Sequence, residues 1–410
     1  MTTFQEGGAR WLCCHLGARE HYAVPRALHR RGRLGLLVTD AWVRPGSLWS
    51  RMPGDLPRRL SERFHPDLTD TDVRDFTLSA VAREAFLRAG RGTGWKSPMD
   101  RNRWFGRRAA RVLNDVAGGE MTTVFAHSYS AREVFAHAKT RGWTTVLGQI
   151  DPGEEHFRVA RLASDEWTEY GAAPEAPPAA YFDSWREECA LADRIIVNSP
   201  WSREALTRAG IPAEKLRVLR LVYEPEETGP VAAHQYPDAF TPARPLRVLF
   251  VGHAAVAKGV PALLEAVEQM TDVPVELHLV GAISMVVPWR FAKHPAIRWV
   301  GAVSRSEVMR HYRESDVLVF PSLSDGFGMA QVEAQAWRLP IIASRHCGRV
   351  VEDGVNGLLL PEVSAGAIAA TLRRVAGTPA LLAEFSRHSG VATQSGIEAL
   401  SAGLLSLESA

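Results

Sequence analysis

The stretch SDGFGMAQVEAQAWRLP, Ser324–Pro340, holds two carboxylates eight residues apart, Asp325 and Glu333. Just upstream, DVLVFPSL is an apolar run that ends in Pro and Ser. This run reads as a buried strand, and the helical pattern after it starts near Phe327 or Gly328. Asp325 then falls in the loop at the strand's C-terminal edge, with Glu333 about two turns into the helix. Gly326 and Gly328 remove Cβ atoms where backbone turns sharply or approaches a ligand closely. Free amides at such a helix start, together with the helix dipole, favour a phosphate or another anion. Acids this far apart do not share a proton. They suit the hydroxyls of one polyhydroxylated ligand, a ribose at one end and a hexose at the other. A capped helix with a surface glutamate fits the same pair.

A second anion-binding candidate is VLFVGHAAVAKGVPALLEAV, which runs from a strand through Gly252, His253, Lys258 and Gly259 into a helix. It is not a Walker loop, and GxGxxG is absent as well. It still offers a lysine and a second glycine-bounded strand edge.

The elements that must position these residues alternate between β-rich runs and helical patterns. RWLCCHL, LGLLVTD, TTVFAHS, TTVLGQI, DRIIVNS and LRVLRLV lie in the first half, and LRVLFVG, VELHLVG, IRWVG, DVLVFPS, LPIIAS and GLLL in the second. Such alternation predicts an α/β protein with parallel sheets covered on both faces. At 410 residues two domains are expected, with the site in the cleft between the C-terminal edges of their sheets. The expected division is residues 1–225, with a helical insertion at about 44–112, then a linker at 226–245 and a second domain at 246–390. Residues 391–410 are expected as a helix that packs back toward the first domain.

The chain is 46% hydrophobic and 23% charged, with a net charge of +2, so no global field draws it to nucleic acid. Residues 1–120 nevertheless carry 21 basic against 13 acidic side chains, many within KSPMDRNRWFGRRAARVLND. This segment fits a solvated helix face, or a surface for an anionic acceptor or membrane headgroups. Four cysteines without a paired framework and no apolar run of about 20 residues point to the cytoplasm. The N-terminus has an acid and two glycines where a signal peptide needs an apolar stretch.

Together, VGHAAVAKGVPALLEAV and YRESDVLVFPSLSDGFGMAQVEAQAWRLPIIAS resemble the retaining glycosyltransferases of family 4, which have the GT-B fold. HCGRVVEDGVNGLLL resembles the glycine segment that follows in that family, and EECALADRIIVNSPWSREALTRAGIPAEKLRVLRLVYEP the end of its acceptor domain. The resemblance covers most of residues 186–360. It implies two doubly wound Rossmann-like domains facing a central cleft, the first for acceptor and the second for nucleotide sugar. Glu333 would bind the nucleotide ribose and Asp325 the donor sugar, supported by the backbone from Gly326 through Phe327 to Gly328. Lys258 would neutralise the leaving diphosphate, beside Gly252 and His253. His127, in VFAHSYSA, would lie near the reacting sugar, and Gly17 would turn the first strand over the phosphates. Asp151, Glu154, Glu155 and His156, in QIDPGEEH, would face the acceptor.

Two positions depart from the family. Asp325 stands where Glu is usual, and His253 where Arg is usual; Arg forks onto phosphate and stays charged, while His is a fractional cation near neutral pH. Either the diphosphate raises the pKa of His253, or another cation, Arg345 or Arg349, substitutes. The activity implied is hexosyl transfer from a nucleotide-diphosphate sugar, a UDP-sugar favoured, to an acceptor hydroxyl with retention. The family's fold type needs no metal and no cofactor beyond the donor. The acceptor would be a sugar, a lipid-linked precursor or a small molecule, with peripheral membrane contact through the basic N-terminal domain. The alternatives are a non-catalytic nucleotide-sugar binder and a nucleotide-sugar 2-epimerase or hydrolase on the same fold.

Overall fold

In a computed structural model of the chain, residues 10–47, 60, 62–89, 94–117, 121–225 and 231–408 are described. Two parallel sheets organise them. The first holds β1 (Arg10–His15), β2 (Leu34–Thr39), β3 (Val73–Asp75), β4 (Thr122–His127), β5 (Thr144–Gly148), β6 (Arg194–Val197) and β7 (Leu216–Val218). The second holds β8 (Leu246–Val251), β9 (Val275–Val280), β10 (Ile297–Gly301), β11 (Val317–Phe320), β12 (Ile341–Ala343) and β13 (Gly357–Leu359). Their orders are β3-β2-β1-β4-β5-β6-β7 and β10-β9-β8-β11-β12-β13. Both reverse direction beside the first strand of the sheet, and that switch point opens a crevice at the strands' C-terminal ends. Strands such as β4 and β11 are buried at every residue, which is why they read as unbroken apolar runs rather than alternations.

The segment between β2 and β4 is more than an insertion. It supplies the edge strand β3, and the helix Lys96–Asn114 turns Phe105, Ala109 and Leu113, four residues apart, into the first domain's core. Residues 48–59, 61 and 90–93 of this segment lie outside the described residues. Residues 226–230 of the expected linker also lie outside them. The stretch 231–245 packs on the second domain, with Phe240 in its core and the Tyr236 hydroxyl donating to the Asp316 carbonyl at 2.9 Å.

Besides the linker, two segments of the described residues pack across the domains. The helix Ile397–Leu405 returns to the first domain, where Ile397, Leu400 and Leu404 pack with Trp11, Tyr22 and Leu37. In the other direction, the helix Glu154–Glu166 leaves the first domain and carries Ala163 and Tyr170 into the second domain's core. The described residues contain no helix long and apolar enough to cross a membrane.

Candidate active site

The second domain's wall is built on tight backbone. After β8 the chain passes Gly252 (φ +142°) and exposed His253, makes one 3-10 turn over Val256–Lys258, and enters the helix Val260–Glu268 through Gly259 at φ +70°. A Cβ on Gly259 would lie 2.0 Å from the Pro321 carbonyl oxygen, so this loop is pressed against the end of β11. The same contact brings Lys258 to the β11 loop, where its Nζ pairs with Asp325 Oδ2. Asp325 Oδ1 accepts from the Phe327 amide at 3.2 Å, and the Asp325 amide donates to the His346 carbonyl at 2.9 Å. The helix Met329–Ala336 starts at Gly328 (φ +83°) and puts Glu333 in its second turn. There Glu333 Oε2 accepts from the hydroxyl of buried Tyr312 at 2.7 Å.

The Phe327 ring is 2% exposed and packs in the core with Phe320, Val332 and Leu339. Between two glycines the ring turns inward, so only the Phe327 backbone faces the carboxylate.

The first domain's wall is the C-terminal edge of β1, β4, β5 and β6. Gly17 (φ +89°) donates its amide to Asp40 Oδ1 at 2.9 Å. His127 is buried at the end of β4, its Nδ1 3.3 Å from the Gly148 carbonyl and its Nε2 without a partner. Burial, reinforced by nearby Arg19, lowers its pKa to about 3, so the ring is neutral. With Nδ1 as donor to Gly148, Nε2 is a bare acceptor at the cleft. His15 stands edge-on at 4.6 Å between ring centroids, and burial pushes it well below its ordinary value too.

Asp151 Oδ1 accepts from the Tyr129 hydroxyl at 2.7 Å, the Gly153 amide at 2.8 Å and Gln149 Nε2 at 3.1 Å. His156 reaches across the cleft, beside Asp151, Lys258, Asp325 and the Ser324 backbone, and burial lowers its pKa. Glu154 and Glu155 belong to the same helix turn and border the same cleft, each paired with arginine. Glu154 pairs with Arg186 at 2.5 Å, and Glu155 with Arg158 at 2.7 Å and Arg208 at 2.9 Å. His156, Lys258 and His253 border one cleft of about 1200 Å³. Arg345 and Arg349 line a small cavity with Pro200 and Trp201.

Several residues of the site were not singled out from sequence. Trp201 donates to Ser324 Oγ at 3.2 Å and packs on His346 at 4.7 Å, bracing the carboxylate loop from the opposite domain. A Cβ on Gly326 would lie 2.8 Å from Asn198 Nδ2, so this glycine serves cross-domain approach rather than a turn. Glu188 accepts from the Tyr129, Ala131 and Arg132 amides at 2.6, 2.9 and 3.2 Å and fixes the turn after His127. Glu20 follows Gly17 on a run of left-handed residues, Glu20, His21 and Tyr22, with φ of 51°, 49° and 59°. Such backbone costs about 1–2 kcal/mol per residue, and in such numbers it marks a functional loop. Desolvation, opposed by Arg19, raises the pKa of Glu20 to about 7. Among the described residues no cluster of three or more His, Cys, Asp or Glu side chains is arranged to hold a metal ion.

Residues 245–377 match the family Glycosyl transferases group 1. This range runs from β8 past β13 and contains Gly252, Lys258, Asp325 and Glu333. AmsK, an amylovoran biosynthesis glycosyltransferase of Erwinia amylovora, is 30% identical over 188 residues, 42% of this chain and 44% of that protein. The D-inositol 3-phosphate glycosyltransferase of Streptomyces bingchenggensis is 30% identical over 239 residues, 52% of this chain and 51% of that one. The chain thus spans about half the length of the curated relatives it matches. Across both domains, the fold matches Anabaena HepE in complex with UDP and glucose, with TM-score 0.59, 15% identity, and 97% and 100% of the two chains covered. It also matches sucrose-phosphate synthase of Thermosynechococcus elongatus, with TM-score 0.62, 18% identity and 98% of each chain covered. The architecture is GT-B, two Rossmann-like domains, and the group 1 match falls on the second.

Proposed function

We propose that the protein is a retaining hexosyltransferase of family 4 that works without a metal ion, moving a sugar from a nucleotide-diphosphate sugar to an acceptor hydroxyl. One arrangement supports this most. Glu333, held by Tyr312, and Asp325, paired with Lys258, lie in the segment that matches group 1; His156 stands beside the Lys258–Asp325 pair, and neutral His127 ends β4 of the other domain. That set has an acid for a ribose, an acid for a sugar hydroxyl, a cation for diphosphate, and an uncharged acceptor for a second sugar hydroxyl. A UDP-sugar is favoured; HepE, of the same fold, is seen with UDP and with UDP-glucose.

In the proposed reaction the bond from the anomeric carbon to the β-phosphate oxygen breaks. A bond to the acceptor oxygen forms on the same face, and the acceptor proton passes to the departing phosphate oxygen. The barrier is charge separation between an oxocarbenium-like sugar and the diphosphate. Lys258, His253 and the backbone amides near Gly328 act on the phosphate side. Asp151 and His156 border the acceptor. Asp325 reaches one methylene less than glutamate would, so its sugar contact is made closer to the loop or through water.

A cytoplasmic enzyme meeting lipid-linked or soluble acceptors through its basic first domain completes the reading. Its test is a thermal-shift panel of UDP, GDP, ADP and their sugars, followed by donor turnover with and without acceptors. Stabilisation by a nucleotide diphosphate and acceptor-dependent turnover are expected. If no nucleotide diphosphate stabilises the protein, the reading is wrong. Donor consumption without acceptor would make it an epimerase or hydrolase.

A further inference from the structure

Beside Gly17, on the first domain's side of the cleft, lies a cavity of about 110 Å³ bordered by Asp40, Arg63, Arg83, Glu84, Arg101 and Trp104. Asp40 is buried at the end of β2, and its carboxylate accepts from three donors: the Gly17 amide at 2.9 Å, Arg63 at 3.0 Å and Arg101 at 3.1 Å. It therefore orients two guanidinium groups. Each has five N–H donors. Among the described residues, Arg63 and Arg101 each make one side-chain hydrogen bond, both to Asp40. The two arginines border a cavity that is completed by apolar Ala41, Leu60, Ala80 and Val81.

Three arginines border the cavity against two carboxylates. Arg19, just outside, makes no hydrogen bond or ion pair among the described residues. Burial makes both Arg19 and Arg83 easier to deprotonate than usual, with Arg101 as a like-charged neighbour of each, against the opposing pull of Asp151 and Glu20 on Arg19 and of Asp100 and Glu84 on Arg83. Guanidinium forks left with spare donors match phosphate and carboxylate oxygens. Arg101 belongs to the helix Lys96–Asn114, the basic segment whose charge the nucleotide site leaves unused. Arg63 touches the Gly17 turn: a Cβ there would lie 3.1 Å from its Nη1. A group bound in the cavity is thus adjacent to the edge that carries His127.

We propose that this cavity is an anion subsite, and that the acceptor carries a phosphoryl or carboxylate group which Arg63, Arg83 and Arg101 bind while its hydroxyl faces the cleft. The anion subsite stands by itself; its assignment to an acceptor rests on the transferase reading. The competing role is a structural ion cluster that pins the helix Lys96–Asn114 to β2.

The test titrates inorganic phosphate, and acetate in parallel, into full-length protein already saturated with UDP, with thermal shift and calorimetry as readouts. Saturation with UDP keeps phosphate out of the nucleotide site. A chloride series at matched ionic strength corrects for salt. Phosphate is expected to stabilise the wild type, and Arg101→Gln and Arg83→Gln each to weaken it about tenfold, as for one lost charge-assisted contact, with UDP affinity unchanged. A response to phosphate alone assigns a phosphoryl group; an equal response to acetate widens the class to carboxylates. Arg83 does not bind Asp40, so Arg83→Gln remains informative if Arg101→Gln folds poorly. No phosphate response in the wild type, or the same response in both variants, overturns the proposal. Failure of UDP to bind would instead overturn the transferase reading, and the phosphate titration would then be read on the free protein.

Discussion

Asp325→Asn is expected to tighten binding of bare UDP while it cripples sugar transfer. In the free protein Lys258 is already paired with Asp325, whose side chain is 19% exposed against 24% for the lysine. A diphosphate must draw the lysine away from that carboxylate and must itself approach the negative charge. Each effect is of order 4 kcal/mol for unit charges about 4 Å apart at an effective dielectric near 20. Part exposure and side-chain entropy reduce the net to about 1.4 kcal/mol, which is about tenfold in Kd. Asparagine keeps the side-chain length, and its Oδ1 can still accept from the Phe327 amide, so the loop is retained. Transfer loses a charged partner for a sugar hydroxyl, about 1.5–3 kcal/mol or roughly 10- to 150-fold in kcat/KM. Calorimetry with UDP at two salt concentrations and a nucleotide-release assay measure both quantities. The gain in UDP affinity should shrink as salt rises. If UDP binds Asp325→Asn no better than the wild type, Lys258 is not the cation held in competition between carboxylate and phosphate.

Three other outcomes follow from the same geometry. Glu333→Ala should weaken UDP about 100-fold through loss of charged hydrogen bonds to the ribose, and Tyr312→Phe, which removes only the 2.7 Å bond that aims Glu333, about three- to tenfold by calorimetry. Glu20 is held at about 7 against its ordinary 4.5, so folding favours its protonated form; that stability is complete below about pH 4.5 and lost as pH rises through about 7. Between about pH 5 and 8 the wild type should therefore lose roughly 2 kcal/mol of stability that Glu20→Gln does not, and parallel urea midpoints for the two proteins would refute this. Tyr170 is 1% exposed in the second domain's core, its carbonyl accepts from the Val286 amide at 2.8 Å, and its ring stacks on Phe291 at 6.2 Å. Tyr170→Ala should cost about 3–5 kcal/mol of stability and enlarge the UDP-free protein in X-ray scattering; an unchanged radius would mean that this crossing does not hold the domains together.

What could be read from sequence was whatever has a short period or a short span. Buried strands such as VLVF and TTVFAH announce themselves because both faces are covered, and the Gly252–Gly259 and Asp325–Glu333 segments each place their chemistry within one strand–loop–helix unit. Contacts made across the cleft leave no such trace. Trp201 bracing Ser324 and Asn198 against Gly326 join residues more than a hundred positions apart, with no periodicity to relate them. The neighbour that aims Glu333 lies 21 residues upstream on a different helix, so HYRES reads only as an amphipathic surface. Arg19 and Glu20 sat beside a glycine already singled out, yet a left-handed run of non-glycine residues violates local propensity, so local rules pass over it.

The crossing at residues 154–170 follows the same logic and has the largest mechanistic consequence. The helix Glu154–Glu166 starts at the Asp151–His156 turn, on the first sheet's edge, and the chain then seats Tyr170 between Phe291 and Glu265 of the second domain. The Glu169 carboxylate meets Arg290 at 2.5 Å, which secures the same docking from outside. A turn tied at one end to Tyr129 and Gln149, and at the other to the nucleotide domain, cannot follow either domain alone. Any change in the angle between the sheets must strain the Asp151 hydrogen bonds, unhook Tyr170, or bend the chain between them. His156 lies within this turn beside the Lys258–Asp325 pair. If Lys258 is released to a diphosphate, as proposed above, the charge facing His156 changes. On the transferase reading, one helix would join the donor and acceptor sides of the cleft.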